Sequence, residues 1–321
     1  MDPFGRKVDY LRISVTDRCN ERCLYCMPEG YKGWERQPDH LTAEEIVRVV
    51  RVAAGLGFRK FRLTGGEPLV RGDVPDIVRA MTAIPGVECV GLSTNGTRLA
   101  APLREAGLRT VNVSLDALDP AIYHRVTGGD VARVVAGIRA AVAAGYERVK
   151  LNCVLMRGVN EGELWPLVLF AAEHGLPLRL IELMPLTLTE VLTEANFLPC
   201  GEAMQLLSRH DELIPQPDRR LGHGPAKYYL LKQTGALVGF IGALTNEHFC
   251  ENCNKMRLTA DGKGRPCLGN HAEVDLRSAL RHGADDAGLK ELLESALRSK
   301  PLEHEFRNNY QPGRPMTAIG G

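Results

Sequence analysis

The sequence predicts an α/β fold: an open partial barrel of six strand-helix units, (βα)6, followed by a smaller C-terminal part. Three observations predict it. Short runs of alternating apolar residues recur between helix-period stretches from residue 11 to residue 183. Right-handed crossovers of such units build a parallel sheet, and six are too few to close an ordinary eight-stranded barrel. Past Met184-Pro185 the repeat stops, which sets a boundary near residue 195 between a barrel over 1–195 and a C-terminal domain over 196–321.

The first strand, 11–15, is carried by Leu11, Ile13 and Val15. A helix follows from Thr42, a cap with Glu45 at its capping-box position; Ile46, Val49, Val50 and Ala53 form its apolar stripe, and it ends near 55–57. Strand 58–63 runs into Thr64-Gly65-Gly66-Glu67. Strands 87–94, 110–115, 149–155 and 178–183 then alternate with helices near 73–83, 98–107, 131–144 and 163–174. The segment 186–199 lacks a clear pattern. Beyond it, 201–209 reads as a helix, 221–226 as a Gly- and Pro-rich loop, and 228–231 and 237–241 as strands.

Lys plus Arg total 40 against 39 for Asp plus Glu, so no global basic field points to nucleic acid. No apolar run reads as a membrane span, and the first residues do not form a signal peptide. The nine cysteines fall as two sets of three plus Cys89, Cys153 and Cys200, a metal pattern more than a disulfide framework. A cytoplasmic, reducing setting is expected, with the three lone cysteines as packed thiols.

The chain is organised around Cys19, Cys23 and Cys26, a C-x3-C-x2-C loop leaving a strand's C-terminal end, where α/β folds keep their chemistry. Structural zinc wants four ligands, and no fourth Cys or His appears before His40. A cubane iron-sulfur cluster can be held by three cysteines if its last iron binds something else, which leaves an open site. Gly65-Gly66-Glu67 suits close backbone approach to a ligand with a carboxylate for an ammonium; a plain glycine turn accounts for it equally well. Ser93, Ser114, Asp116 and Asn152 sit at or near strand ends, where capping is an alternative role. Arg12, Lys60, Arg62, Lys150 and Arg179 gather on strands. Those flanked by apolar neighbours point into the lumen, and several cations there require an anion such as a triphosphate. A second set, Cys250, Cys253 and Cys267, reads C-x2-C-x13-C; a zinc ribbon using His248 or His271 is the alternative.

The first cysteine loop, with Tyr25 before its last cysteine, resembles the signature of radical S-adenosylmethionine enzymes. The resemblance implies a TIM-type partial barrel and a [4Fe-4S] cluster whose fourth iron is chelated by S-adenosyl-L-methionine. It also implies contacts to that cofactor from Tyr25, Gly65, Gly66, Glu67, Ser114 and the backbone around Met184. The second set, read with Asn254, Arg257-Leu258-Thr259-Ala260-Asp261-Gly262-Lys263 and the final Gly320-Gly321, is similar to the GTP 3′,8-cyclase family of molybdenum cofactor biosynthesis. That resemblance implies a second [4Fe-4S] cluster that binds the guanine of GTP. It further implies substrate contacts from Arg12, Lys60, Arg62, Ser93, Lys150, Arg179, Lys255, Met256, Arg257, Gly320 and Gly321. Lys255 stands where family members commonly carry Arg, which keeps charge but loses the bidentate fork.

The implied reaction is removal of the C3′ hydrogen of GTP by a 5′-deoxyadenosyl radical and closure onto C8, giving 3′,8-cyclo-7,8-dihydro-GTP. An electron donor such as flavodoxin or ferredoxin and functional coupling to cyclic pyranopterin monophosphate synthase are implied partners, and a homodimer is one assembly this reading allows. Two other readings stand beside it: a radical enzyme acting on a peptide, and a zinc-stabilised binding protein.

Overall fold

The computed structural model describes residues 1–27, 40–99, 102–187, 193–308 and 310–320. Six parallel strands lie side by side in sequence order: β1 (Tyr10–Ser14), β2 (Lys60–Thr64), β3 (Cys89–Thr94), β4 (Thr110–Ser114), β5 (Arg148–Leu155) and β6 (Leu178–Glu182). Crossover helices cover one face: α1 (Ala43–Gly55), α2 (Val74–Thr82), α3 (Pro102–Glu105), α4 (Pro120–Thr127), α5 (Val131–Ala143) and α6 (Leu164–Glu173). Thr42 and Glu45 form the expected capping box of α1. Helix α4 was not expected, although Asp119 caps it, Pro120 opens it and Gly128, at φ 66°, ends it.

The chain then extends this sheet at both edges. After α7 (Cys200–Ser208) come β7 (Leu213–Gln216), β8 (Lys227–Leu231) and β9 (Leu237–Ile241). Strand β9 pairs parallel with β6, and β8 and β7 follow antiparallel. Strand β10 (Lys255–Leu258) crosses to the other edge and pairs parallel with β1, followed by antiparallel β11 (Lys263–Arg265) and β12 (Val274–Asp275). The result is one twelve-stranded sheet with eight parallel strands at its centre, β10 and β9 flanking the six. Helices α8 (Leu276–Arg281), α9 (Asp286–Arg298) and α10 (Met316–Ile319) complete the chain. The observed class is α/β with a parallel-rich sheet.

Strand alternation separates two environments. Leu11 and Ile13 of β1, Phe61 and Leu63 of β2, Val111 and Val113 of β4, and Leu178 and Leu180 of β6 are buried together under the helices. The intervening residues face the lumen. Residues 1–9 clasp the closing end: Arg6 donates to the carbonyls of Cys250, Pro301 and Leu302 and pairs with Asp2 at 2.5 Å.

Candidate active site

The first cysteine loop leaves the sheet where Val15 N donates to Thr64 O at 3.0 Å. Gly66 N and Glu67 N then donate to Thr16 O and Arg18 O at 2.8 and 2.7 Å. A Cβ on Gly65 or Gly66 would lie 2.2 Å from Thr16 O or Arg18 O, so these glycines admit loop-to-loop contact that no side chain would permit. On the other side, Arg22 N and Leu24 N donate to Thr127 O and Val126 O at the end of α4, at 2.6 and 2.9 Å. Cys19, Cys23 and Cys26 are free and half-buried. Burial pushes the thiols of Cys19 and Cys26 up to about 12 and that of Cys23 well up too, so a bound metal is what would make them ligating thiolates.

Buried carboxyls surround this loop. Glu67 accepts from Leu69 N (2.9 Å), Thr94 Oγ1 (2.8 Å) and Asn95 N (2.7 Å), which ties the ends of β2 and β3 together. Three donors leave one of its roughly four acceptor positions free. Tyr25 donates to Asp116 at 2.8 Å, whose other oxygen takes Val154 N, and Tyr123 donates to Glu21 at 3.0 Å. Burial raises Glu67 and Glu21 to about 7 and Asp116 to about 6. Ser114 sits opposite Asn152 in the lumen row, and Met184 packs on Leu186, Phe306 and Tyr310.

The register assembles the lumen cations. Arg257, Arg12 and Arg62 are direct neighbours across β10, β1 and β2. Like charges so placed repel unless something screens them. The next partner is Gly91, and a Cβ there would lie 2.7 Å from Arg62 Nη2; its absence lets the guanidinium reach Thr110 Oγ1 at 3.0 Å. Arg62 also donates to Tyr10 OH and Leu92 O at 2.5 and 2.6 Å. Lys60 is committed to Asp9 at 2.8 Å. Lys150 and Arg179 meet no carboxylate among the described residues: Lys150 donates to Leu221 O in the 221–226 loop, and Nε and Nη2 of Arg179 are buried without a hydrogen-bond partner. Burial first, then neighbouring cations, lowers Lys150 to about 6, Arg179 to about 10 and Arg257 to about 9. Ser93 lies in the same row, opposite Asn112. An unsatisfied guanidinium among buried cations is the chemistry of an anion site.

The second cysteine set lies beside β10. Cys250, Cys253 and Cys267 are free and half-buried. The Lys255 ammonium lies over the Tyr10 ring at 5.9 Å, and Arg257 donates to Gly320 O. Gly320, at φ 75°, packs against Thr64 and Ser14, so this segment reaches the lumen face of β1 and β2. Gly321 lies outside the described residues. Met256 is not brought to this face: it pairs with Leu11, and its side chain is buried in the core under the helices. Sequence reasoning missed Lys300, which donates to Cys253 Sγ and two carbonyls, and Glu182, which gathers the backbone of Cys200, Leu244 and Thr245. No local pattern marks either one.

Among the described residues no three Cys, His, Asp or Glu side chains converge tightly enough for a single metal ion. Tetrahedral zinc needs four ligands, whereas three thiols are what a cubane cluster with one open iron needs.

Residues 13–171 match the model for the radical SAM superfamily, and residues 176–306 match Molybdenum Cofactor Synthesis C. A GTP 3′,8-cyclase of Moorella thermoacetica is 45% identical over 324 residues, covering 100% of this chain and 99% of the relative. One from Pelotomaculum thermopropionicum is 44% identical over 329 residues, with coverage of 100% and 99%. The chain belongs to the GTP 3′,8-cyclase family. Among solved structures, Streptococcus suis SuiB shares the fold at a TM-score of 0.65 and 17% identity, over 93% of this chain and 67% of that one. The radical SAM part of a GTP 3′,8-cyclase family member implies a [4Fe-4S] cluster and S-adenosylmethionine, which the Cys19, Cys23 and Cys26 set fits. Among the described residues no helix is long and apolar enough to cross a membrane.

Proposed function

We propose that this chain converts GTP to 3′,8-cyclo-7,8-dihydro-GTP, the first step of molybdenum cofactor biosynthesis. The observation that carries the reading, with family membership, is the row Arg257, Arg12 and Arg62 laid in register between the two three-cysteine sets. Cys19, Cys23 and Cys26 hold one cluster, and Cys250, Cys253 and Cys267 hold a second, for guanine. With S-adenosylmethionine bound and one electron delivered by an external reductant, the group held at Cys19, Cys23 and Cys26 would supply the radical chemistry that removes the C3′ hydrogen.

The chain's own residues do the positioning. Arg12, Lys150 and Arg179 take the triphosphate, while Arg62, already held by Tyr10 and Thr110, contributes its remaining donors and fixed charge. Glu67 offers its free acceptor position to the cofactor's ammonium, and Tyr25, braced by Asp116, backs the cofactor. Arg257 clamps Gly320 over the lumen, excluding water from a site where a radical must meet one C–H bond. A flavodoxin or ferredoxin reductant, consumption of the product by cyclic pyranopterin monophosphate synthase and a cytoplasmic location complete the reading.

The test is anaerobic: protein reconstituted with iron and sulfide receives dithionite, S-adenosylmethionine and GTP. Coupled appearance of 5′-deoxyadenosine and cyclised GTP is expected. Formation of 5′-deoxyadenosine with GTP untouched refutes the substrate; neither, with both clusters loaded, refutes the catalysis.

A further inference from the structure

Resting on the two-cluster reading, we propose that Lys300 is a positioning residue of the second cluster: its ammonium donates to Cys253 Sγ, ties together the two segments that carry the cysteines, and raises the cluster's reduction potential. Lys300 lies two residues past α9 and is 3% exposed. Its Nζ is 3.5 Å from Cys253 Sγ and 2.8 Å from the carbonyls of both Lys255 and Pro266. These contacts account for all three ammonium donors. Lys255 is two residues past Cys253, and Pro266 immediately precedes Cys267, so one side chain clamps both arms of the ligand set.

A buried ammonium needs an anion, and among the described residues Lys300 contacts Cys253 Sγ and two carbonyls and no carboxylate. Two carbonyl dipoles do not neutralise it; a thiolate ligand does. The first set is surrounded instead by Glu21, Glu67 and Asp116. Hydrogen bonds to ligating sulfur and nearby positive charge both raise the potential of an iron-sulfur centre.

The experiment uses the full chain with Cys19, Cys23 and Cys26 replaced by Ala, so that only the second set holds iron. Lys300→Met and Lys300→Arg are reconstituted anaerobically beside this parent; iron per chain is measured and the cluster titrated by EPR. The Met form is expected to keep its iron with a reduction equilibrium at least tenfold less favourable, about 59 mV lower for a one-electron couple, and the Arg form to fall between. An unchanged or higher midpoint in the Met form overturns the proposal. If the Met form takes up no iron, the Arg form decides: retained iron with a midpoint near the parent's supports the charge argument, and lost iron in a chain of unchanged circular dichroism overturns it. A parent that binds no iron refutes the second cluster itself, and the role of Lys300 falls with it.

Discussion

Substituting Gly320 by Ala tests whether the 316–320 segment must lie in the lumen. Gly320 holds φ 75°, and a Cβ there would come within 2.7 Å of Thr64 Cγ2 and 3.2 Å of Ser14 Cβ. The left-handed backbone costs an L-residue about 1–2 kcal/mol. Overpacking adds about 1–3 kcal/mol, because Thr64 is β-branched in a strand and has few rotamers to retreat into. Together about 2–5 kcal/mol lowers the docked-to-released ratio by about 30- to 4,000-fold at 1.4 kcal/mol per decade. Hydrogen exchange over residues 310–320 reads this directly, since Gly320 N is bonded to Met316 O at 3.0 Å. Gly320→Ala is expected to speed exchange there at least tenfold with little change in Tm, because the opening is local. Adding Thr64→Ser removes the clashing methyl and restores part of the protection, leaving the backbone term. Unchanged exchange in Gly320→Ala, or no gain from Thr64→Ser, refutes the argument.

Lys150 is lowered to about 6 from 10.5 by burial and then by Arg179, so it is neutral in the free protein at pH 8 and charged in the unfolded chain. Its contribution to stability is therefore full above pH 10.5 and lost as pH falls toward 6; Lys150→Met should flatten that slope in thermal melts. GTP binding at pH 8 should draw in about one proton at this ammonium, seen by calorimetry in buffers of different ionisation heat and absent in Lys150→Met. Cys19→Ala should abolish S-adenosylmethionine cleavage, whereas Cys267→Ala should spare much uncoupled cleavage and end GTP cyclisation; cyclisation by either with its partner cluster loaded sinks that division. Asp119→Ala removes the cap of α4, which accepts from Ala121 N and Ile122 N, and should cost about 1 kcal/mol in chemical denaturation. Because the end of α4 holds the first cysteine loop, iron uptake there should slow as well.

Strands β1 to β6 were legible because their period-2 apolar pattern repeats between helices, and each overlaps its expected range, whereas β7, β10, β11 and β12 were not expected. Helix α4 was missed although Asp119-Pro120 and Gly128 bracket it, since its apolar stripe of Tyr123 and Val126 is short. The pairing of β10 with β1 and of β9 with β6 was not legible: nothing in a strand's own pattern states which distant edge it will meet. The lumen face of Arg12, Arg62, Lys150 and Arg179 followed from alternation, but their partners did not. That Lys60 is committed to Asp9, and Arg62 to Tyr10 and Thr110, depends on contacts between separate strands. Met256 turns to the core by the same alternation that turns Lys255 and Arg257 inward. Lys300 and Glu182 carry no local signal because a polar residue's burial is decided by segments far away in sequence.

The pairing of β10 with β1 joins the beginning of the chain to its last third; Asn254 donates to Asp9 across 245 residues. During synthesis the edge of β1 has no partner until residue 258 has emerged, so the barrel wall stays open for most of translation. Contacts of such sequence separation form late and slowly, and an unpaired strand edge invites pairing with other chains meanwhile. The first cysteine loop is complete by residue 26 and the second set only at residue 267. The chain thus exposes the first of its two cysteine sets long before it can close the chamber that protects it.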